Sequence, residues 1–183
     1  MFKKGFPHYK RIKIIVFDFD GVFTNNKVFV NKEGTEFVQC DRSDGLAFDF
    51  VRKFINKKLW DVKLLVLTRE KNSVAKTRCE KLGLDCYFGV DDKKSYLLSK
   101  YSNYFDKKES VIKGLAYLGN DLNDLSSIEI SEFSFSPSDS HKFVKKASDY
   151  VLNEKGGNGF VRAFFEKLLD FDNMNSMELN DLL

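Results

Sequence analysis

Cysteine is scarce in this chain: Cys40, Cys79 and Cys86 are the only three in 183 residues, and no two of them form a C-x-x-C pair. So sparse and odd a set does not build a disulfide framework and points to a reduced, cytoplasmic protein. Long apolar runs are missing too. None approaches the ~18 residues of a membrane span, and the opening MFKKGFPHYKRIKIIVFDFDG has lysines but no long apolar stretch of a signal peptide. No membrane partner is expected. Nor is there an excess of one charge, since 30 basic residues against 27 acidic ones leave +3. The lysines are scattered among acids and form no basic stripe, which argues against nucleic acid as a partner. Repeats and low-complexity segments are absent.

What the chain has is core material. Hydrophobic residues make up 43% and aromatics 15%, with 19 Phe, which is the composition of a folded domain. The length fits one domain, a sheet with helices on both faces. Residues 1–171 are assigned to that domain and 172–183 to a polar tail, either frayed or a contact arm.

Apolar strands alternate with amphipathic helices. Lys13 to Phe17 is a short apolar run ending at acids, the pattern of a buried parallel strand. Two β-prone runs, 27–30 and 35–39, flank Asn31-Lys32-Glu33-Gly34 and predict a hairpin over about 27–40. From Asp44 to Lys57, Ala47, Phe50, Val51, Phe54 and Ile55 recur at helical spacing. A second buried strand, 63–67, precedes a helix from about Asn72 to Leu82, stopped by Gly83. Further strands are expected at 86–88, 115–118, 133–135 and 150–152, and further helices from near Asp92 and from Phe160 to Leu169. Such alternation defines an α/β fold with a doubly wound parallel sheet, from which only the hairpin departs. Ligands of such sheets sit beyond the carboxyl ends of the strands.

Polar groups collect at that edge. The first strand ends in Asp18-Phe19-Asp20-Gly21-Val22-Phe23-Thr24, the second in Thr68-Arg69-Glu70, and the 115–118 strand in Gly119-Asn120-Asp121-Leu122-Asn123-Asp124. Asp91-Asp92-Lys93-Lys94 stands at a helix start between the last two. Singly, each has a bland reading: a D-x-D turn, a Thr cap, a solvated charge run, a capped helix start. Four in this order, each at a site that faces the same edge, point to chemistry.

The order and residue types resemble the four motifs of the haloacid dehalogenase (HAD) superfamily. "DFDGVFT" looks like the first motif, Thr68 like the second, Lys93 (or Lys94) like the third and "GNDLND" like the fourth. The resemblance implies a Rossmann-like HAD fold and a phosphatase. Asp18 would be the nucleophile, and Asp20 would protonate the leaving oxygen and then activate water. Thr68, Arg69 and Lys93 would bind phosphate, and Mg²⁺ would be held by Asp18, the Asp20 main-chain carbonyl and the fourth motif. The chemistry is consistent: a covalent intermediate splits a very slow hydrolysis into two steps, and Mg²⁺ takes oxygen ligands. One departure matters. The common fourth motif begins G-D, and here Asn120 stands in place of that acid, so either Asn120 or Asp121 is expected at the metal, with Asp124 in support.

No cap-sized insert separates the motifs, and the hairpin is a candidate flap over the site. "RSDGLAF", "TRCEKLGL", "YLGNDLND" and "KGGNGFVRAF" resemble a narrower, capless family, the 3-deoxy-octulosonate 8-phosphate phosphatases and their relatives acting on nine-carbon KDN or acylneuraminate 9-phosphates. That resemblance implies a sugar-acid phosphate as substrate and a homotetramer in which a neighbouring subunit closes the site. In the family's G-G-x-G-A-V-R-E segment the last acid is here Ala163. Glu70 stands where the octulosonate enzymes carry arginine, which tilts the reading toward the nine-carbon branch, with Thr24, Glu70 and Arg78 as substrate contacts. Two rival readings remain at this point, a phospho-signalling receiver domain and a catalytically idle HAD-like scaffold.

Overall fold

The computed structural model describes residues 5–58, 60–71 and 73–182. In chain order the strands and helices begin with β1 (Ile14–Phe17), β2 (Thr24–Val30), β3 (Glu36–Cys40), α1 (Ser43–Lys58) and β4 (Lys63–Leu67). They continue through α2 (Ser73–Leu82), β5 (Asp85–Tyr87), α3 (Lys93–Lys100), β6 (Phe105–Asp106) and β7 (Val111–Leu118). The last are α4 (Leu125–Glu129), β8 (Ser131–Ser136), α5 (Lys142–Ala147), β9 (Tyr150–Val151), α6 (Phe160–Leu168) and α7 (Ser176–Asn180). Six parallel strands run in the order β5-β4-β1-β7-β8-β9, with the short β6 antiparallel against β7. The expected α/β sheet is therefore present. The hairpin β2–β3 forms a separate antiparallel sheet, and no cap domain interrupts the chain.

β1 is the hinge of this order. It pairs with β4 on one side (Phe17↔Val66) and β7 on the other (Phe17↔Leu118), so the residues that follow all three strands emerge side by side. Successive side chains of a strand point to opposite faces, and β1 is buried on both. Ile15 and Phe17 join the core beneath α1, α2 and α6, while Ile14 and Val16 join the core beneath α3, α4 and α5. The first core is aromatic: Phe48 of α1 packs its ring 5.8 Å from Phe17, 6.1 Å from Phe23 and 5.2 Å from Phe165.

Several elements differ from the expectation. β7 begins at Val111 rather than Leu115. Lys113 and Gly114 break the apolar run, and Gly114 has φ +76° where the register with β8 shifts, so the early half of the strand is a bulge without a hydrophobic signature. The helices α4 and α5, of five and six residues, are too short to display a helical period. The expected start of the second helix, Asn72, lies outside the described residues. After Leu168 the chain folds back: Asn175 caps α7 in a reciprocal pair with Glu178, Asp181 meets Lys57 at 2.8 Å, and Leu182 is buried in the aromatic core. No described helix is long and apolar enough to cross a membrane.

Because Phe48 holds together the rings directly behind the turn after β1, Phe48→Ala should cost about 3–5 kcal/mol, the usual price of a buried Phe truncation. Denaturant unfolding monitored by circular dichroism measures it.

Candidate active site

β1 stops at Phe17, and Asp18 stands at the carboxyl edge of the sheet, 4% exposed. Its Oδ1 accepts the Phe19 N–H at 2.7 Å and the Lys93 ammonium at 2.8 Å. Neither contact uses Oδ2, which is thereby the oxygen left for chemistry. Lys93 arrives from the first turn of α3, whose start is set by Asp92 accepting the Ser95 N–H at 2.9 Å. The same ammonium also meets Asp124 Oδ1 at 2.8 Å. Asp124 is fully enclosed and accepts two more groups of donors, the Tyr117 hydroxyl at 2.7 Å and the N–H groups of Asn120 and Asp121 at 2.9 and 3.3 Å.

One ammonium thus serves two buried carboxylates. Burial and then the charge of Asp124 raise the Asp18 pKa to about 7, against the pull of Lys93. Burial alone would discharge Lys93, but the flanking carboxylates outweigh it and raise its pKa above the ordinary lysine value. Lys94, the alternative third-motif lysine, points away toward Glu129 at 3.9 Å. Of the two, Lys93 is the lysine whose ammonium lies beside Asp18.

Asp20 lies at the mouth, where burial raises its pKa against the hydrogen bond from Thr24. A carboxyl group so placed is suited to carry a proton. Thr24, expected to touch substrate, has no exposed surface. Its hydroxyl donates to Asp20 Oδ1 at 3.2 Å and accepts the N–H of Gly21 and Asn26 at 3.2 and 3.1 Å. It holds Asp20 from behind instead. Gly21 is obligatory: its φ is +79°, and a Cβ there would lie 1.8 Å from Asn120 Nδ2.

Asn120 is 7% exposed, and its Oδ1 is buried with no hydrogen-bond partner. It shares one cavity of about 150 Å³ with Asp18, Asp20, Thr68 and Asp121. Among the described residues no three His, Cys, Asp or Glu side chains are gathered into a metal cluster. An orphaned carbonyl oxygen beside a carboxylate nevertheless fits a hard divalent cation, which takes neutral oxygen donors as well as charged ones. Asp121 borders the cavity, and its carboxylate accepts the Leu122 N–H at 2.7 Å, capping the turn at 122–124.

Thr68 is 2% exposed, and its Oγ1 accepts the Glu70 N–H at 3.2 Å, which leaves the hydroxyl proton to donate. Arg69 stands at the rim, 3.9 Å from Asp91. Glu70 borders this cavity and a neighbouring one of about 250 Å³ between the strand ends and the hairpin, which Glu36 and Val38 also line. Arg78 is not brought to either cavity. It sits further along α2 and donates to the Asp41 carbonyl at 2.9 Å, at the base of the hairpin. A helix leaving the strand end carries each successive turn about 5.4 Å further away, and that is why Arg78 borders neither cavity.

Two supports were not anticipated. Tyr117 reads in sequence as one more core residue of a buried strand, and the only hint was that an enclosed phenol needs a partner. The loop at Gly156–Gly157 presses on the turn after β1. The Gly157 N–H donates to the Val22 carbonyl at 3.0 Å, and a Cβ on Gly156 would lie 2.0 Å from the Gly21 carbonyl oxygen. Beside it, Asp44 in the first turn of α1 is 1% exposed, with Oδ1 accepting the Arg162 N–H at 3.3 Å and Oδ2 unpartnered.

No protein-family model matches the chain. Over 161 residues it is 27% identical to the 3-deoxy-D-manno-octulosonate 8-phosphate phosphatase of Escherichia coli K12, covering 87% of this chain and 80% of that protein. The Moraxella catarrhalis enzyme of the same name, solved with magnesium, phosphate and KDO, is 26% identical, with TM-score 0.79 and 94% of each chain covered. The cobalt-bound Haemophilus influenzae phosphatase, at 24% identity and TM-score 0.74 over 88% of this chain and 90% of that one, bears on the fold alone. Together with the capless sheet and the strand-end acids, these likenesses point to one class: the chain is similar over most of its length to phosphatases of the HAD type. Within that class, relatives similar over most of the chain that carry a specific name are 3-deoxy-D-manno-octulosonate 8-phosphate phosphatases, at 26–27% identity.

Burial, reinforced by Asp41, raises the Asp44 pKa to about 7, from an ordinary carboxylate value of 3.8. The folded protein therefore keeps a proton that the unfolded chain releases, and stability is lost as pH rises from about 4 through 7. Asp44→Asn keeps the Oδ1 acceptor and removes the charge. Its melting temperature should match the wild type near pH 4 and exceed it by several degrees at pH 8 in scanning calorimetry.

Proposed function

We propose that this chain is a Mg²⁺-dependent phosphatase that hydrolyses the phosphate monoester of a 3-deoxy-2-ulosonate sugar acid through an aspartyl-phosphate on Asp18. The candidate substrates are a nonulosonate 9-phosphate, such as that of KDN or an acylneuraminate, and octulosonate 8-phosphate. The observation that carries this reading is Asp18 held by Lys93 through Oδ1 alone, with a second acid, Asp20, at the mouth of the same cavity.

In the first step Asp18 Oδ2 attacks phosphorus, and the sugar oxygen leaves with the proton of Asp20. In the second, Asp20 takes a proton from water, whose oxygen attacks the phosphoryl group and releases phosphate and Asp18. Thr68, Lys93 and the rim Arg69 donate to the phosphoryl oxygens as charge develops. Asp18, the Asp20 main-chain carbonyl and Asn120 Oδ1 would hold Mg²⁺, with Asp121 close by, and the ion would neutralise the approach of one anion to another.

The body of the substrate would lie against the cavity between Glu70 and the hairpin. Carboxylates there accept hydrogen bonds from sugar hydroxyls but repel the substrate's own carboxylate, so a cationic group must come from elsewhere. Val28, Phe29, Val30 and Phe37 of the hairpin are each more than half exposed, an apolar surface that supports a homotetramer in which a neighbour completes the site. Arg78, turned toward the hairpin base, would then act across subunits.

Asp18→Asn should lower turnover of p-nitrophenyl phosphate by about 10⁴-fold or more while circular dichroism stays unchanged; retained activity would refute the nucleophile. Asn120→Ala should weaken Mg²⁺ binding at least ~10-fold by calorimetry, and an unaffected variant would move the metal to Asp121. Comparing kcat/KM for octulosonate 8-phosphate, KDN 9-phosphate and N-acetylneuraminate 9-phosphate tests the Glu70 argument, which expects a nine-carbon substrate to lead.

A further inference from the structure

The opposite edge of the sheet, where β1 and β4 begin, carries a second concavity of about 430 Å³. At ~3.3 Å per residue of strand it lies roughly 15 Å from the Asp18 edge. Its charge is one-sided. Lys10, Lys13, Lys58 and Lys63 line it, against the single carboxylate of Asp61. All four lysines are exposed, and none forms an ion pair among the described residues. Four neighbouring ammonium groups repel one another, and without a partner anion their convergence costs stability.

The walls are aromatic. Tyr9, Trp60, Tyr101 and Tyr104 border the same space. Trp60 is fixed in place: its indole N–H donates to the Ile12 carbonyl at 2.9 Å, and its ring stands edge-on to Tyr9 and Phe54. The Lys13 ammonium lies 5.7 Å from the centre of the Tyr104 ring, so cation and ring face one space. A bare phosphate would satisfy the lysines and leave the rings unused. A simple aromatic would do the reverse. A molecule with both a planar ring and two or three negative charges uses all of it, and the volume lies in the range of small-molecule sites.

We propose that this cavity at the amino edge of the sheet is a second ligand site, distinct from the phosphatase centre, that binds a nucleoside diphosphate. The phosphates lie among Lys10, Lys13, Lys58 and Lys63, and the base lies against the tyrosine faces beside Trp60.

Trp60 is the chain's only tryptophan, so its fluorescence reports on this site alone. ADP should bind the full chain saturably in magnesium-free, low-salt buffer, seen both by calorimetry and as a change in Trp60 emission, and more tightly than inorganic phosphate. In Lys13→Ala/Lys63→Ala the affinity should fall at least ~10-fold, as expected for loss of two phosphate-facing charges, while p-nitrophenyl phosphate turnover is retained and the melting temperature does not fall. ADP binding that is unchanged in the double variant, that leaves Trp60 emission unaltered, or that is no tighter than phosphate binding would overturn the proposal. So would tighter binding of a short single-stranded oligonucleotide than of ADP.

Discussion

The ammonium of Lys93, enclosed between Asp18 and Asp124, is the contact on which the rest of the structure depends. An unpaired charge in such a place costs several kcal/mol, so the three residues must arrive together or not at all. They come from three places: the end of β1, the start of α3 and the turn after β7. Only a sheet order that sets β1 beside β7, with α3 packed across that face, lets them meet. Asp124 is tied further by Tyr117 and by two backbone N–H groups, which makes it the fixed end of the bridge. Burial first, and then the charge of Asp124 that one shared cation does not neutralise, hold the Asp18 pKa far above that of an ordinary carboxylate. The same imbalance that is a stability cost makes the edge receptive to positive charge beside Asp18 and Asn120.

A second constraint governs the turn after β1. Gly21 lets the Asn120 amide approach, Thr24 locks Asp20 from behind, and the Gly156–Gly157 loop closes on the same backbone from the far end of the chain. The glycine contacts leave no room for an added carbon, so the position of Asp20 is set by segments more than a hundred residues apart. Beyond this clamp the hairpin extends with apolar residues on its surface and one acid, Glu36, facing the cavity. The rigid chemistry and the open substrate space are thus built by different parts of the molecule.

Much of this was legible in advance, for physical reasons. The runs at 14–17 and 64–67 are continuously apolar, and the polar residues that end them mark where a parallel sheet meets solvent. The hairpin follows from its turn residues, and α3 from its Asp92 cap. What stayed hidden had no periodic or compositional mark. The bulged first half of β7 is masked by Lys113 and Gly114. Thr24 looked like a substrate contact because sequence shows a hydroxyl next to a motif, not which way it points. Arg78 lay at a plausible spacing, yet its helix carries it to the hairpin base.

By itself, then, the sequence determined the alternation of strands and helices, the edge at which the polar groups would gather, and the identity of the two acids after β1. Those are local properties, written in hydrophobic runs and in the residues that stop them. Tertiary structure alone decided that Lys93 rather than Lys94 enters the site, that Asn120 keeps a buried, unpartnered oxygen, and that Thr24 stands behind Asp20 rather than before it. Each of these depends on a partner distant in sequence, and direction and burial exist only once the sheet has brought those partners together.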